Sequence, residues 1–517
     1  MAYDKVVDSA VLDEGLKQIA DAIREKAGTT DALAFPQEIA DAIAAIQGGG
    51  ATIEPLTISE NGTYTAPDGV DGYSPVTVDV KGSGGGSAVD KKDVTFYDYD
   101  GSILYSYTLE DAQSLTELPK LPEHNGLVCQ GWNYDLDTIK RYNRAVDIGA
   151  MYITDDGTTR LYVRLRKGRT SPMLALGVNG TVTVDWGDGT ENDVLTGTNT
   201  STMVYTSNHE NENAGDYVIK LAVEGQMAFP NGKILRGSET AQIKDSAYSC
   251  SLKKVEIGTG VQSISNNAFY ECLQLEFVII PKGVIDIGGR AFGKCTYLNF
   301  VAIPSGVTSI VGGYSMGAFM SCGRLKAVSI PDSVKSLGDY VFEQCYSLAF
   351  ISVPDGVTKL GTYALSKCSA LTHISTPDHI TTIGSNCFEA CRSLTSFAVP
   401  NGVTSISAGT FNGCTSMEIV LNNGVVTIGT SAFSGCYQMT FIDIPSSVNS
   451  IGSYAFRYWY SVRYFDFSQH TTVPTLVKAD AFDNVPDDCE IRVPSVLYDE
   501  WIAATNWSTL ADHIVAV

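Results

Sequence analysis

The sequence predicts a multidomain, mainly β chain: short N-terminal helices, small β modules, and a stacked-repeat solenoid forming the C-terminal half. Three observations carry this. Cysteines recur at 250, 272, 295, 322, 345, 368, 391, 414 and 436, spaced 22 or 23 residues apart except for one gap of 27. In phase with them run a comb of Phe269, Phe292, Phe319, Phe342, Leu365, Phe388, Phe411, Phe433 and Phe456 and a comb of prolines from Pro281 to Pro445. Finally, 517 residues exceed what one core organises at about 150 residues per domain, and Gly-rich stretches at 48–50 and 82–87 read as linkers.

The repeating unit is L-x-x-h-x-h-P-x-x-V-x-x-I-G-x-x-A-F-x-x-C, with h apolar, as in Leu325 through Cys345. Its first stretch predicts a short strand with apolar residues turned into the solenoid, ended by a proline that cannot donate to the next rung. Val and Ile predict a second buried edge, Gly a turn, and A-F-x-x-C one helical turn with Phe and Cys inward. A single unit cannot bury its own apolar face, so stacking neighbours must make the core. The 27-residue unit contains the insertion Ile310–Gly317, expected to loop out at the surface.

These residues resemble the BspA-like leucine-rich repeats of bacterial and phage surface proteins over residues 239–493. The tail at 494–517, with Trp501 and Trp507, looks like an amphipathic helix capping the array. Nine of the twelve cysteines hold one repeat position, where Cys serves as a small apolar residue. Stacked equivalents have parallel Cβ vectors, which a disulfide dihedral does not accommodate, so buried reduced thiols are expected.

Residues 1–47 carry two helical patterns. Leu12, Leu16, Ile19 and Ile23 form a short coiled-coil-like seam, and Pro36 opens a second helix with Ile39, Ile43 and Ile46. Helices this short are marginal alone. The segment therefore forms either a hairpin within the chain or an attachment and oligomerisation element, and the missing neighbouring core favours the latter. Residues 51–82 alternate around Asn61-Gly62 and Asp68-Gly69 turns and predict a small β module. The phrases at 22–28, 35–43 and 62–67 resemble the N-terminal regions of tail proteins from tailed phages of gut Firmicutes.

Between these ends, residues 88–150 run Val94-Thr-Phe-Tyr-Asp-Tyr-Asp-Gly101, then Leu118-Pro-Lys-Leu-Pro122, then Gly131-Trp132, and are similar to the small β domain of the internalin B-repeat family. Residues 151–238 look like a PKD-type β-sandwich, on Val182-Thr-Val-Asp-Trp-Gly-Asp-Gly-Thr190 and Gly215 through Val223. The resemblances imply spacer or contact modules, and in the PKD-type family the Trp-Gly-Asp-Gly element is a structural turn, which leaves Asp185 and Asp188 no ligand role; Asp98 and Asp100 before Gly101 suit a hairpin turn in preference to calcium.

Chemistry has no sequence signature here. Gly313-Tyr-Ser-Met-Gly317 matches a nucleophile-elbow pattern but sits in a solenoid insertion, where the strand, helix and downstream partners of an elbow are missing. The six histidines show no ligand or triad spacing, and no phosphate loop, dinucleotide fingerprint or zinc motif is present. The reading is of no enzyme, no cofactor and no metal. Asp+Glu 58 against Lys+Arg 35 gives a net charge of −23, which disfavours nucleic acid. No apolar run reaches the ~20 residues of a membrane helix, and neither a signal peptide nor a sorting tail is evident.

The outward face of the repeat strands is the candidate site. Counting two residues beyond each leading Leu gives the column Lys254, Phe277, Phe300, Ala327, Phe350, His373, Ser396, Ile419, Phe441 and Tyr464. Its aromatics Phe277, Phe300, Phe350, Phe441 and Tyr464 suit stacking on sugars or anchoring a protein, unless neighbouring segments cover them. The resemblances together imply a phage tail fibre or receptor-binding protein on the virion tail, joined through 1–47 to tail or baseplate proteins and binding a host cell-surface glycan or protein. The alternative is a BspA-like adhesin of the bacterial surface. The Leu12–Ile23 seam predicts a homo-oligomer, a trimer, held by residues 1–47. Light scattering should give a threefold mass for the full chain and a monomer for a chain starting at Ala88; monomers in both cases would remove the idea.

Overall fold

The computed structural model describes residues 91–517 apart from 167–170, 208, 210–213, 237–247, 249–250, 311, 313–315 and 416, together with two short strands at 62–64 and 76–78. The chain divides into two compact units, Met1–Ala88 and Val89–Val517. In the first, Gly62–Tyr64 pairs antiparallel with Val76–Val78, the alternating module read from the sequence. The seam residues Leu12, Leu16, Ile19 and Ile23 lie outside the described residues.

The second unit is mostly solenoid. Each repeat contributes one strand to each of two parallel columns. The first column starts at Leu252–Glu256 and climbs through Phe277–Ile279, Phe300–Ala302 and their equivalents to Glu490–Val493. The second runs from Val261–Ile264 to Thr475–Leu476, with Ile264, Ile287, Ile310 and Leu337 buried in register. Successive side chains on a strand point to opposite faces, so Val278, Val301 and Val328 fill the core while Phe277, Phe300 and Ala327 point out of it.

The third side is where the sequence reading needs correction. A-F-x-x-C does not make a helical turn; it folds into hydrogen-bonded turns with two left-handed residues four apart, as at Tyr340 (φ 60°) and Gln344 (φ 61°). The reason is the ladder. A helix would direct its N–H groups back along its own chain, whereas here each Phe N–H reaches the next repeat, Phe342 to the Ala364 carbonyl at 2.9 Å and Phe411 to the Ala432 carbonyl at 2.8 Å. At Gly409 and Gly413 the left-handed positions are filled by glycine, which adopts them without a Cβ penalty.

Inside these turns the Phe rings stack face to face, with centroids 5.3 Å apart for Phe292–Phe319 and 5.4 Å for Phe411–Phe433. The cysteines do more than fill space. From Cys295 to Cys436 the thiol at the repeat position donates to the carbonyl of the Phe-position residue one repeat back: Cys322 to Phe292 at 3.1 Å, Cys345 to Phe319 at 3.3 Å, Cys414 to Phe388 at 3.1 Å. Trp459 occupies the same repeat position and substitutes its indole N–H, 2.7 Å from the Phe433 carbonyl. Most of these carbonyls already accept a backbone N–H of their own repeat, as Phe292 O does from Cys295 N at 3.1 Å, so the thiol fills a second lone pair and ties one repeat to the next.

The segments flanking the array extend its core. Thr159–Leu165 pairs antiparallel with both Gly215–Phe229 and Leu252–Glu256, and the end of Gly215–Phe229 pairs parallel with Val261–Ile264. These long strands therefore cap both columns, and one hydrophobic core runs from Leu161 to Ile514. In the Trp186–Asp188 stretch, the Asp185 carboxylate accepts from Gly187 N and that of Asp188 from Thr190 N, tying the turn. At the other end the cap is less helical than expected. A six-residue helix, Tyr498–Ala503, and a 3-10 stretch, Trp507–His513, bury Trp501 and Trp507, and Ile514–Ala516 then adds a last parallel strand to the column.

Residues 91–154 form a four-stranded sheet in the order Ile103–Tyr107, Val94–Tyr97, Val146–Thr154, Leu127–Trp132, with two short helices, Leu109–Gln113 and Leu136–Arg141. One face packs Phe96, Trp132, Ile139 and Ile148 into a small core. The other face lies on the first strand column of the solenoid, with Tyr97 stacked on Phe300 at 5.1 Å. Asn133 donates to Ile303 O at 3.0 Å and to Ser329 Oγ at 2.8 Å, while Ser329 Oγ donates to Asp147 O at 2.7 Å. Gly149 is required here, since a Cβ would come 2.4 Å from that of Ala302.

Two predictions follow from this packing. None of the eleven described cysteines forms a disulfide, only Cys129 among them is exposed, and burial pushes the thiols of Cys322, Cys368 and Cys414 up to about 12. A thiol reagent should therefore leave the repeat column unmodified in native protein and titrate close to all twelve cysteines after denaturation. A shortfall under denaturing, non-reducing conditions would reveal disulfides. The second prediction concerns Asp147, buried beside Lys91 at 3.0 Å; burial holds its carboxyl up to about 6 against the opposing pull of Lys91. The native state thus keeps a proton that the unfolded chain releases between pH 3.8 and about 6. Its contribution is present below that window and is lost as pH rises through it. Lys91 keeps partial access to solvent, so Asp147→Asn should raise the unfolding free energy from urea titration by ~1–2 kcal/mol at pH 7.5 and lose that advantage near pH 4. An equal difference at both pH values would count against it.

Candidate functional site

The first strand column is the surface on which the aromatic residues meet. Register alignment places Lys254 beside Phe277, Phe300 beside Ala327, Phe350 beside His373 and Phe441 beside Tyr464. One position of the sequence-derived column is wrong. The partner of Ser396 is Glu418, and Ile419 turns into the core at 8% exposure. The repeat holding Cys414 has one residue fewer before its strand, and a one-residue slip exchanges the two faces of a strand.

The five aromatics do not share one environment. Phe300 is 1% exposed beneath Tyr97. Phe277 meets Tyr99 edge to face, and Phe350 has the Lys91 ammonium 4.1 Å above its ring. All three belong to the contact with residues 91–154. Arg144 extends that contact to the next rungs, reaching Ser352 Oγ at 3.1 Å, Ser375 Oγ at 3.0 Å and the Asp355 carboxylate at 2.6 Å. Phe441 and Tyr464 lie beyond it. Their rings stack at 5.4 Å, and Phe441 is 42% exposed.

From Arg144 onward none of the described residues 91–154 covers the face. A shallow trough of about 410 Å³ lies between Arg144 and the rungs of His373 and Ser396. A larger one of about 1120 Å³ is lined by Glu418, Val420, Phe441, Asp443, Asp466 and Gln469 among others. Alternation places Glu418, Phe441 and Tyr464 in one outward column and Val420, Asp443 and Asp466 in the next. Burial, and then the neighbouring Asp466 carboxylate, push the Asp443 carboxyl above its ordinary value. Beyond Tyr464, the Arg492 guanidinium covers the second face of its ring at 3.8 Å and is itself held by Glu490 at 2.8 Å.

Glu418 falls out of the sequence-derived column through the one-residue slip, and Asp443, Asp466 and Arg492 fall outside it because that column holds a single outward position per strand. The last three occupy the second outward position, two residues on, as in Phe441-Ile442-Asp443 and Tyr464-Phe465-Asp466. The insertion with the Gly-x-Ser-x-Gly pattern lies largely outside the described residues; its ends, Gly312 and Gly317, press on the backbone of Asp339 and Tyr340. Among the described residues no three His, Cys, Asp or Glu side chains converge as a metal site, and no helix is long and apolar enough to cross a membrane. The trough offers stacked aromatic faces, carboxylates and amides, the equipment for holding a ligand.

Comparison with known proteins agrees with the repeat reading. The BspA type leucine rich repeat region matches in six copies over residues 233–315, 314–420 and 381–497, together just over half of the chain. A leucine-rich repeat protein of Treponema pallidum is 30% identical, over 30% of this chain and 72% of its own, with a TM-score of 0.28. One from Bacteroides ovatus is 21% identical over 59% of this chain and 90% of its own (TM-score 0.31). A leucine rich cell surface protein from Faecalibacterium prausnitzii is 23% identical over 50% and 88% (TM-score 0.29). No curated protein matches the chain. With its phased Leu, Phe and Cys positions and the match over 233–497, the chain belongs to the BspA-type leucine-rich repeat family.

Proposed function

We propose that this protein is a surface adhesin of the BspA-like kind, which binds a cell-surface glycan or protein through the uncovered part of its first strand column. The observation that carries the reading is the exposed Phe441–Tyr464 stack on the open trough. It continues a face whose lower rungs already serve as an interface, to residues 91–154. Large apolar side chains left in water beside polar groups mark binding surfaces. The groups that line the face, a stacked ring, carboxylates and amides, suit holding a partner.

A second reading is favoured by one observation, the phrases at 22–28, 35–43 and 62–67 that resemble phage tail proteins. In that reading residues 1–47 attach a trimer to tail or baseplate proteins, and the solenoid recognises the host bacterium. The two readings differ in the cells bound. Full-length protein should be retained on animal epithelial cells or their matrix if it is an adhesin, and on bacterial cells if it is a tail fibre. In either case Phe441→Ser with Tyr464→Ser should weaken retention more than tenfold, the effect of removing two aromatics of about 2 kcal/mol or more from an interface centre. Ser already stands in this column at 396, so the fold should be kept, as a thermal melt would verify. A double variant that folds and binds like the parent would move recognition off this face.

A further inference from the structure

The first strand column shows how this fold finishes an aromatic rung: a cation lies over the ring and a carboxylate holds the cation. Over Phe350 the cation is Lys91, with Asp147 3.0 Å away. Over Tyr464 it is Arg492, with Glu490 at 2.8 Å. Lys254 stands 5.3 Å from the Tyr99 and Tyr162 rings and 2.7 Å from Glu256. Two further aromatics, Phe277 and Phe300, are covered by the rings of Tyr99 and Tyr97.

Phe441 departs from this pattern. One face of its ring rests on Tyr464, and the other is turned along the column towards the rung of Glu418, which lines the same trough. Glu418 and Asp443 flank it without an ion pair among the described residues. The trough they line carries three carboxylates, Glu418, Asp443 and Asp466, and no basic side chain. Ring and anions are present, and the cation that the rungs of Phe350 and Tyr464 draw from this chain has no counterpart here among the described residues. An aromatic face attracts a cation, more strongly as water is excluded, and a chain of net charge −23 adds attraction at longer range.

We propose that this trough takes up a lysine- or arginine-bearing segment of a partner protein, with the cation seated over the open face of Phe441 between Glu418 and Asp443. The inference rests on the reading that the open strand face binds a partner, and it names that partner's chemistry. Lys91 and Arg144 show the mode within the chain itself: residues 91–154 dock on the lower rungs by extending one cation over a ring and another to hydroxyls and a carboxylate. A neutral glycan would stack on the ring but would leave the carboxylates unpaired.

Calorimetric titration of the full chain in 0.15 M salt with a capped hexapeptide of alternating glycine and arginine tests this. Phe441→Ala, and separately Glu418→Gln with Asp443→Asn, should each weaken binding at least tenfold. Glu191→Gln, at an exposed carboxylate outside the trough, should leave it unchanged. The amide variants are near-isosteric, so their loss cannot be put down to unfolding. No binding by the parent, or an equal loss in the Glu191 variant, would overturn the proposal. Cell retention separates it from the broader reading: if Phe441→Ser with Tyr464→Ser abolishes retention while the amide variants keep it, the face is adhesive but its ligand is not cationic.

Discussion

The constraint on which this molecule depends is that a repeat of about 23 residues has no inside of its own. Alternate backbone N–H groups on the turn side, such as those of Tyr340, Phe342 and Gln344, must find a carbonyl one repeat away, and each buried ring must find another ring. The Phe stack answers the second demand, and the backbone bonds from repeat to repeat, with the thiol-to-carbonyl contacts beside them, answer the first. Spacing between rungs is thereby fixed near 5 Å, and everything on the outer face inherits it. The Phe441–Tyr464 stack at 5.4 Å has nearly the spacing of the buried Phe411–Phe433 pair, because the same translation generates both.

The same constraint makes the ends costly, since a terminal repeat exposes a core with no neighbour. The chain closes the lower end with long strands that hydrogen-bond to both columns, and the upper end with Trp501, Trp507 and a final strand. It also covers half of the outer face. Residues 91–154 lie on the rungs from Phe277 to Ser375, using Asn133, Tyr97 and Arg144 against backbone carbonyls, rings and hydroxyls. A polar side chain such as Asn133, at 2% exposure, is tolerated there because both ends of its amide are bonded. Among the described residues, the part of the column left uncovered is therefore its upper part, where the Phe441–Tyr464 stack and the carboxylates are found.

By itself the sequence determined the solenoid. Periodicity is a local property, and three combs in phase leave no other fold that buries Leu, Phe and Cys together; the reduced, inward cysteines, the strand-ending prolines and the outward placement of Phe441 and Tyr464 were legible for that reason. The turn was not. A-F-x-x-C has the apolar spacing of a helix, and only the neighbouring repeat, which accepts its N–H groups, decides for left-handed turns. Nor was the face of Ile419, because the missing residue near Cys414 shifts register by one and pattern counting has no means of seeing where a deletion is absorbed. Which aromatics stay open was also beyond the sequence. Phe300 and Phe441 occupy equivalent positions in equivalent strands, and the difference between them is made about 200 residues away, by Tyr97 folding back onto one and not the other. Repetition is written in the order of residues; coverage is a contact between distant parts, and only the assembled chain decides it.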